Sequence, residues 1–215
     1  NQSKQLPIEM VIKALTPVMT DPALPKAGHN IKYDALVLGN YGLDVSPLSF
    51  DTMIAEWLVD PASRNLGLKD MADSLLGISM THIEELIGRS KDQINMDAVP
   101  VASAAPYAAA DAEVTLRLVP VLKKRMEDRN CTKIFEEIEM PLVPLLMSME
   151  REGISLDTDF FEKFSREMGE RLNEIETDVY EHAGHNFNIN STQQLSKVLF
   201  EELKLEPPDR SKKTS

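Results

Sequence analysis

Two segments near the start of the chain each pass from a short extended stretch directly into a helix. In AGHNIKYDALVLGNYG a strand precedes a helix over residues 31–40, which Gly39 and Gly42 end. In LSFDTMIAEWLVDP the extended stretch leads to Asp51, which caps a helix that stops at Pro61. Each of the two segments thus predicts a short strand directly before a helix.

Helical periodicity covers much of the sequence around these segments, up to about residue 130. An amphipathic helix is predicted over residues 6–20, and two short helices end at Gly77 and Gly88. Pro106 fits the first position of a long helix that continues to about Asp128, because proline lacks the N–H that this position leaves unbonded.

Several side chains in this region are predicted to have structural roles. Trp57 is interpreted as a core anchor, and Thr81 with Glu84 has the spacing of a capping box. Asp51 is expected to cap the helix that follows it.

From Thr132 onward the sequence predicts helices only. One amphipathic helix ends at Gly153, and Asp157 caps a long acidic helix that ends at Gly184. A second capping box and a last helix follow, and the tail over residues 206–215 is expected to be loop or disorder. This change in composition predicts a domain boundary between residues 129 and 135. Ser191 and Gln194 have the spacing of the second capping box, and the last helix is predicted to end at about Leu203.

The composition excludes several classes of protein. No run of about 18 apolar residues is present, which excludes a membrane-spanning helix, and the first ten residues lack the features of a secretory signal. Cys131 is the only cysteine, so neither an internal disulfide nor a cysteine-based zinc site can form. A cytoplasmic protein is therefore expected. The net charge of −12 predicts weak binding to DNA by this chain alone.

The first group of candidate site residues lies in the segment GHNIKYD. This segment follows the end of a predicted strand and places Asp34 in the first turn of a helix. In α/β proteins, sites are assembled at such strand ends from separated segments. The alternative interpretation is an exposed aspartate that the helix dipole stabilises.

The second group is Tyr107 and Asp111 in the segment YAAAD. A spacing of four residues places the phenol and the carboxylate on one face of a helix, one turn apart. The three alanines between them keep the neighbouring surface small, as close packing or an approaching substrate would require. A buried tyrosine beside a solvated aspartate is the alternative interpretation.

Taken in order along the chain, these segments resemble family A bacterial DNA polymerases. GHNIKYD is similar to the second exonuclease motif of that family, and YAAAD to the third motif of the tyrosine-containing DEDD exonucleases. IEMPLVPLLMSMEREGI resembles the helix that opens the polymerase domain, and FNINSTQQLSKVLFEELKL resembles the following thumb segment. The resemblance implies an α/β, RNase H-like (DEDD) 3′-5′ exonuclease domain over residues 1–130, lacking its first strands, and an all-helical thumb segment over residues 131–215.

The resemblance also implies hydrolysis of the last phosphodiester with two divalent ions, which want oxygen ligands. Asp111 would ligate the ion that carries the attacking water, Asp34 would hold the second ion through water molecules, and Tyr107 would orient the attacking water. Asn30, and His29 with it, would lie beside the terminal nucleotide. Asp51 would support these residues from outside the site, or it is simply a helix cap. The implied ions are Mg²⁺ or Mn²⁺, with Zn²⁺ as an alternative at one position.

The implied activity is proofreading of single-stranded 3′ ends within a DNA-directed DNA polymerase of replication and repair. The expected partners are the 3′ end of DNA and, for the parent protein, a primer-template. A monomer in the bacterial cytoplasm, associated with the nucleoid, is expected, with no membrane partner.

The first exonuclease motif of the family has no counterpart in residues 1–27, where no Asp-x-Glu occurs. The Asp-x-Glu of the first exonuclease motif is expected upstream of Asn1, so we interpret the chain as an internal fragment and expect it to be inactive, or nearly so, by itself. A degenerate exonuclease domain that serves as a scaffold for the polymerase is the main alternative. A stand-alone exonuclease of the RNase D type is the other alternative, and residues 136–215 argue against it.

Overall fold

The computed structural model describes residues 6–206, which belong to two compact units. The first unit ends at Gly153 and the second begins at Ile154. The domain boundary near residue 130 stays a prediction. The predicted tail lies outside the described residues apart from Glu206.

A small parallel sheet organises the first unit. Strand β1 (Lys26–Gly28) pairs with strand β2 (Leu48–Asp51), and the register places Gly28 opposite Asp51. Each strand leads into a helix, α2 (Ile31–Gly39) after β1 and α3 (Thr52–Val59) after β2. The predicted α/β fold is confirmed, and the two helices begin side by side at the same end of the sheet.

Helices make up most of the rest of the first unit. One π-helical turn follows α4, and a second π-helical turn joins α7 to α8. The elements are α1 (Ile8–Met19), α4 (Leu68–Met71) with the π turn Ala72–Leu76, α5 (Ile83–Ile87), the 3-10 turns Ser90–Asp92 and Met96–Ala98, α6 (Val101–Asp128), α7 (Thr132–Ile134) with the π turn Phe135–Glu139, and α8 (Met140–Glu152).

The core of the first unit lies between the sheet, α3, α6 and α8. Phe50 of β2 packs against Phe135, with ring centroids 4.9 Å apart. Helix α6 contributes a buried apolar stripe at helical spacing, Leu118, Leu122 and Met126. This stripe fixes the long helix α6 against the sheet.

Two ion pairs link helices of the first unit, and a third links α8 to the segment beyond α2. The buried Glu56 of α3 pairs with Arg125 of α6. Lys32 of α2 pairs with Glu150 of α8, and the Arg151 Nη2 atom lies 3.0 Å from the Asp44 Oδ1 atom just beyond α2. The last turn of α8 is therefore held to the helix that carries Asp34.

The predicted start of α6 was wrong. The helix begins at Val101, directly after Pro100, and Pro106 lies inside it. The carbonyl of Pro100 accepts the N–H groups of Ser103 and Ala104, which closes the first turn. The alanine-rich stretch before Pro106 favours helix strongly enough to extend the helix upstream of that proline.

Trp57 and Thr81 also differ from the predictions. Trp57 is 44% exposed, because α3 buries its opposite face through Ala55 and Val59. Helix α5 begins one residue later than the predicted capping box requires, and the Glu85 carboxylate accepts the His82 N–H at 2.7 Å. The predicted capping residues were therefore displaced by one position.

The second unit is helical, as predicted. Asp157 accepts the Phe160 N–H and caps α9 (Thr158–Ala183), which ends at Gly184. Helix α10 (Thr192–Ser196) continues into the π turn Lys197–Glu202.

The cap of α10 is half of the predicted capping box. The Ser191 hydroxyl accepts the Gln194 N–H, whereas the Gln194 side chain accepts the N–H of Asn188 rather than that of Ser191. Within residues 6–206, none of the helices combines the length and the hydropathy that a membrane span requires.

Candidate active site

A cavity of about 850 Å³ lies at the end of β1, between α2, α4, α5 and α6. Four of the five residues predicted to form the site line it: His29, Asp34, Tyr107 and Asp111. Asn30 lies next to this group at the start of α2, and it is not among the residues that line the cavity. Folding thus brings together two segments that are separated by more than 70 residues.

The turn between β1 and α2 determines where Asp34 lies. Asn30 has a left-handed backbone (φ 56°, ψ 47°), which asparagine tolerates better than most residues. Gly28 lets the chain pass close to α2, because a Cβ atom at this position would lie 2.7 Å from the Ile31 Cβ. Asp34 then falls in the first turn of α2, and partial burial of its carboxyl raises its pKa.

Helix α6 presents Tyr107 and Asp111 to the cavity from one face, one turn apart, as the spacing predicts. The Lys69 Nζ atom, from α4, lies 3.3 Å from the Tyr107 hydroxyl oxygen and 4.7 Å from the centre of the Tyr107 ring. Lys69 therefore donates a hydrogen bond to the phenol and also lies over its π face.

Asp111 has an unsatisfied carboxylate oxygen. The Oδ1 atom is shielded from solvent and has no hydrogen-bond partner within the described residues. Burial raises the pKa of Asp111. The positive charge of Lys69, and that of His29 when its ring is protonated, oppose that rise. A buried acceptor without a partner costs free energy unless a donor or a cation binds to it.

His29 is held by the residue that follows β2. The His29 Nδ1 atom lies 2.9 Å from the Thr52 Oγ1 atom, and the Thr52 hydroxyl donates to the Gly28 carbonyl at 3.3 Å. Because that hydroxyl has only one hydrogen, it accepts the bond from the His29 Nδ1–H, which leaves Nε2 as an acceptor. Burial lowers the pKa of His29, with the charges of Asp51 and Asp111 acting in the opposite direction, and this favours the neutral ring.

Asp51 has the capping role that the sequence predicts, and a second role besides. Its Oδ1 atom accepts the N–H groups of Met53 and Ile54 at 2.8 Å and 3.3 Å, which caps α3. The same carboxylate accepts the N–H groups of Asn30 and Ile31 at 3.1 Å and 2.8 Å. One buried side chain therefore joins the starts of α2 and α3.

Lys69 and Thr52 were not identified from the sequence as residues of the site. Lys69 lies 38 residues before Tyr107, and Thr52 lies 23 residues after His29. No periodicity or motif in the sequence connects these pairs. The one available signal was the position of Thr52 directly after the predicted cap Asp51.

Two carboxylates in the cavity are ligands of the type that divalent cations bind. Asp34 and Asp111 are carboxylates whose pKa values burial raises, and the Asp111 Oδ1 atom lacks a partner. Hard divalent ions take oxygen ligands of this kind. Across residues 6–206, no group of three or more His, Cys, Asp or Glu side chains is arranged to hold a metal.

Comparisons with known proteins agree with this arrangement. A family model described as 3′-5′ exonuclease matches residues 2–139, and one described as DNA polymerase family A matches residues 158–215. DNA polymerase I of Chloroflexus aurantiacus is 42% identical over 206 residues, which is 94% of this chain and 22% of that protein. The chain thus spans about a fifth of this relative's length.

Two solved structures are also similar to the chain. The polymerase domain of Pol1 from M. smegmatis, in complex with DNA primer-template and dNTP, matches 94% of this chain and 32% of its own, with a TM-score of 0.69 and 25% identity. Brucella melitensis NrnC with bound Mg²⁺ matches 71% of this chain and 67% of its own, with a TM-score of 0.54 and 25% identity. The predicted fold class, an exonuclease-type α/β domain followed by helices, is confirmed. The chain belongs to the family A DNA polymerases, and its residues 2–139 match their 3′-5′ exonuclease domain.

Proposed function

We propose that the full-length product of the gene encoding this chain removes nucleotides from single-stranded 3′ ends of DNA and so proofreads a DNA-directed DNA polymerase of replication and repair. The observation that carries this proposal is the unpartnered Asp111 Oδ1 atom, in a cavity that Asp34, Tyr107 and Lys69 also line. The match to the 3′-5′ exonuclease family supports it independently.

Asp34 and Asp111 are the residues that would hold two divalent cations, Mg²⁺ or Mn²⁺, with Zn²⁺ as an alternative at one position. When bound, such ions stabilise negative charge on the attacking and leaving oxygens of a phosphodiester. Burial in the cavity disfavours the ionised forms of both carboxylates, as their raised pKa values indicate. A bound cation would therefore stabilise the ionised form of both carboxylates.

Tyr107 orients the attacking water. Its hydroxyl oxygen accepts a hydrogen bond from Lys69, which leaves the phenolic hydrogen free for a water or a phosphate oxygen. Lys69 fixes the phenol, and its charge also lowers the pKa of Asp111, which favours the ionised carboxylate. Lys69 is thus a positioning residue for both groups that α6 contributes.

His29 and Asn30 contact the terminal nucleotide. His29 lines the cavity as a neutral ring whose Nε2 atom can accept a hydrogen bond from a base or a sugar hydroxyl. Asn30 lies beside His29, directly before α2, and supplies an amide that can both donate and accept a hydrogen bond. These two contacts would align the last nucleotide with Asp34 and Asp111.

The 215 residues alone are inactive or nearly so, since Asp34 and Asp111 supply two carboxylates and two hard divalent ions require more ligands. The whole protein is a monomer of the bacterial cytoplasm that works on the nucleoid, with a primer-template as the partner of its polymerase activity.

The test is degradation of 5′-labelled single-stranded DNA by the full-length gene product in Mg²⁺ or Mn²⁺. Asp111→Ala is expected to reduce the rate at least on the order of 100-fold. Glu113→Ala is the matched control, because Glu113 lies on the same helix with an exposed side chain outside the cavity. Unchanged polymerase activity of both variants shows that they fold.

Two results would contradict the proposal. Equal degradation by wild type and Asp111→Ala would mean that the site is assigned wrongly. A wild-type protein that polymerises DNA and does not degrade it would instead support a scaffold role for the exonuclease domain.

A further inference from the structure

The Asp51 carboxylate has an unusual environment for a helix cap. Asp51 is 1% exposed, and its two oxygens accept four backbone N–H groups, two from the start of α3 and two from the start of α2. Among residues 6–206 it has no ion-pair partner. Main-chain donors alone therefore compensate the burial of this side chain.

Capping of α3 does not require this arrangement. A single side-chain oxygen that accepts the N2 and N3 N–H groups is sufficient for an N-cap, and serine serves as well as aspartate. The Asp51 Oδ1 atom satisfies that role through Met53 and Ile54, and it also accepts the Asn30 N–H at 3.1 Å. The Oδ2 atom instead bonds to the N–H of Ile31, the first residue of α2.

Helix α2 has no capping side chain of its own. Asn30 precedes it in the left-handed conformation, and the Asn30 side chain accepts no hydrogen bond from the helix. Asp51, which lies 20 residues further along the chain than Ile31, provides the missing cap. Asp34 lies in the first turn of α2, so the position of its carboxylate depends on Asp51.

Thr52, the residue after Asp51, supports the turn between β1 and α2 through Gly28 and His29. It is fully buried, and its hydroxyl bridges the Gly28 carbonyl and the Nδ1 atom of His29. This bridge fixes both the orientation of the imidazole and the nitrogen that carries its hydrogen. Asp51 and Thr52 thus support different site residues, Asp34 and His29.

We propose that Asp51 and Thr52 form a positioning pair, in which Asp51 sets Asp34 for cation binding through α2 and Thr52 sets His29 for contact with the terminal nucleotide. This inference rests on the proposed exonuclease function. A displacement of about 1 Å at such a site can reduce activity on the order of 100-fold. The two residues should therefore affect different parameters of the same reaction.

The experiment uses the full-length gene product and four variants, with polymerase activity and Tm as measures of folding. Asp51→Ser keeps one oxygen that can cap α3 and removes the Oδ2 atom, which accepts the N–H of Ile31, the first residue of α2. Thr52→Val keeps the shape of the side chain and removes its hydroxyl, and Thr52→Ser restores the hydroxyl. Asp111→Ala defines the Mn²⁺ binding that belongs to the exonuclease site.

Two measurements separate the roles of the pair. Calorimetry gives the Mn²⁺ affinity in the absence of DNA, and steady-state kinetics on single-stranded DNA gives KM and kcat. The Mn²⁺ binding that is lost in Asp111→Ala belongs to the exonuclease site. For Asp51→Ser we expect the affinity of this binding to fall about 10-fold. For Thr52→Val we expect KM to rise about 10-fold with wild-type Mn²⁺ affinity, and for Thr52→Ser a KM near that of wild type.

The pattern of results decides between the positioning role and a merely structural one. The inference would be wrong if Asp51→Ser and Thr52→Val both had wild-type Mn²⁺ affinity and KM. It would also be wrong if each variant lost Mn²⁺ affinity and raised KM in proportion to its loss in Tm. Failure of the proposed function looks different, because Asp111→Ala would then degrade DNA as well as wild type. If Asp51→Ser does not fold, Thr52→Val against Thr52→Ser still tests the inference through KM.

Discussion

The Lys69 Nζ atom lies 3.3 Å from the hydroxyl oxygen of Tyr107 and 4.7 Å from the centre of its ring. A single ammonium group therefore acts on the phenol in two ways, as a hydrogen-bond donor and as a cation over a π face. Its charge also lowers the pKa of Asp111, one turn further along α6. Lys69 therefore interacts with both residues that α6 contributes to the site, Tyr107 and Asp111.

Replacement of Lys69 by methionine should reduce exonuclease activity about 10-fold, because the phenol loses the donor that orients it. Lys69→Arg should retain part of the activity. Since loss of the charge raises the pKa of Asp111, the acidic limb of the pH–rate profile should move to higher pH in Lys69→Met. The assay is degradation of single-stranded DNA across the pH range.

Lys123→Met is the control for this prediction. The Lys123 Nζ atom lies 5.7 Å from the centre of the Phe50 ring and outside the cavity, so its loss should leave both rate and pH profile unchanged. An unshifted acidic limb in Lys69→Met would contradict the electrostatic role of Lys69.

Tyr107→Phe should reduce the exonuclease rate less than Asp111→Ala does. The phenol orients the attacking water, whereas the carboxylate holds a cation, and removal of the hydroxyl leaves the cation in place. Single-turnover degradation of 5′-labelled DNA compares the two variants directly. An equal or larger loss in Tyr107→Phe would mean that the roles of the two residues are divided differently.

Asp111→Asn should stabilise the 215-residue chain at neutral pH when a chelator removes divalent ions. Burial raises the pKa of Asp111 in the folded state, so the ionised carboxylate costs folding free energy above that pKa. As pH falls through the raised pKa, the carboxyl becomes protonated and the cost disappears. We expect Tm to rise about 2 °C at pH 7.5 and the difference from wild type to vanish in acid.

Thermal unfolding followed by circular dichroism at the two pH values checks this prediction. A lower Tm for Asp111→Asn at pH 7.5 would show that the charge of Asp111 stabilises the fold.

Gly28→Ala should lower both stability and exonuclease activity. The added Cβ would lie 2.7 Å from the Ile31 Cβ and 2.8 Å from the Ile31 Cγ1, too close for either atom to be accommodated without movement of α2. Overpacking of this kind costs about 1–3 kcal/mol. Chemical denaturation measures the loss, and Mn²⁺ titration of the full-length protein measures the effect on the site.

Gly169→Ala provides the matched control within α9. A Cβ at residue 169 meets no atom within 4 Å, and glycine inside a helix is less favourable than alanine by about 1 kcal/mol. This variant should therefore be at least as stable as wild type, and a destabilisation equal to that of Gly28→Ala would refute the steric argument.

His185 should titrate above the usual range for histidine. Its Nε2 atom lies 2.7 Å from the Glu202 Oε2 atom and its Nδ1 atom 3.2 Å from the Asn186 carbonyl, so the protonated ring donates twice. The hydrogen bond to Glu202 is the main cause of the raised pKa of His185, and the same bond lowers the pKa of Glu202. At a pH between these two pKa values, both His185 and Glu202 are charged and the contact stabilises the fold. This stabilisation is lost as the pH rises through the pKa of His185.

NMR titration of the histidine rings measures this pKa. Glu202→Gln should lower it, whereas Glu201→Gln should have little effect, because the ring bonds to Glu202. Identical titration of His185 in both variants would mean that the hydrogen bond does not form in solution.

Helix ends were predictable from the sequence wherever one residue determines the end by itself. Asp51 and Asp157 cap their helices with their own side chains, and Gly153 and Gly184 follow the last helical residues with positive φ angles. These are local effects within one turn of the chain, so a single sequence is sufficient to recognise them.

Tertiary packing explains the errors. Trp57 was predicted to be buried because of its size, but the face of α3 that packs against α6 is the one with Ala55, Glu56 and Val59. The pairing of Glu56 with Arg125 spans 69 residues. No pattern within α3 indicates that a glutamate rather than the tryptophan faces the interior.

Only the part of the candidate site that lies in local sequence motifs was predictable. Asp34, Tyr107, Asp111 and His29 lie in recognisable segments, and the structure brings them to one cavity. Their roles stay predictions. Lys69 and the second function of Asp51 could not be read from the sequence, because both depend on contacts between segments that meet only in the folded chain.

The ion pairs at the end of α8 have a mechanical consequence. Lys32 with Glu150 and Asp44 with Arg151 attach the last turn of α8 to α2 and to the segment just beyond it, and the backbone continues from there through Gly153. A pulling force applied to the chain beyond residue 153 would load these two attachments before it reached the sheet. Tension on the backbone would therefore be felt first by the helix that carries Asp34.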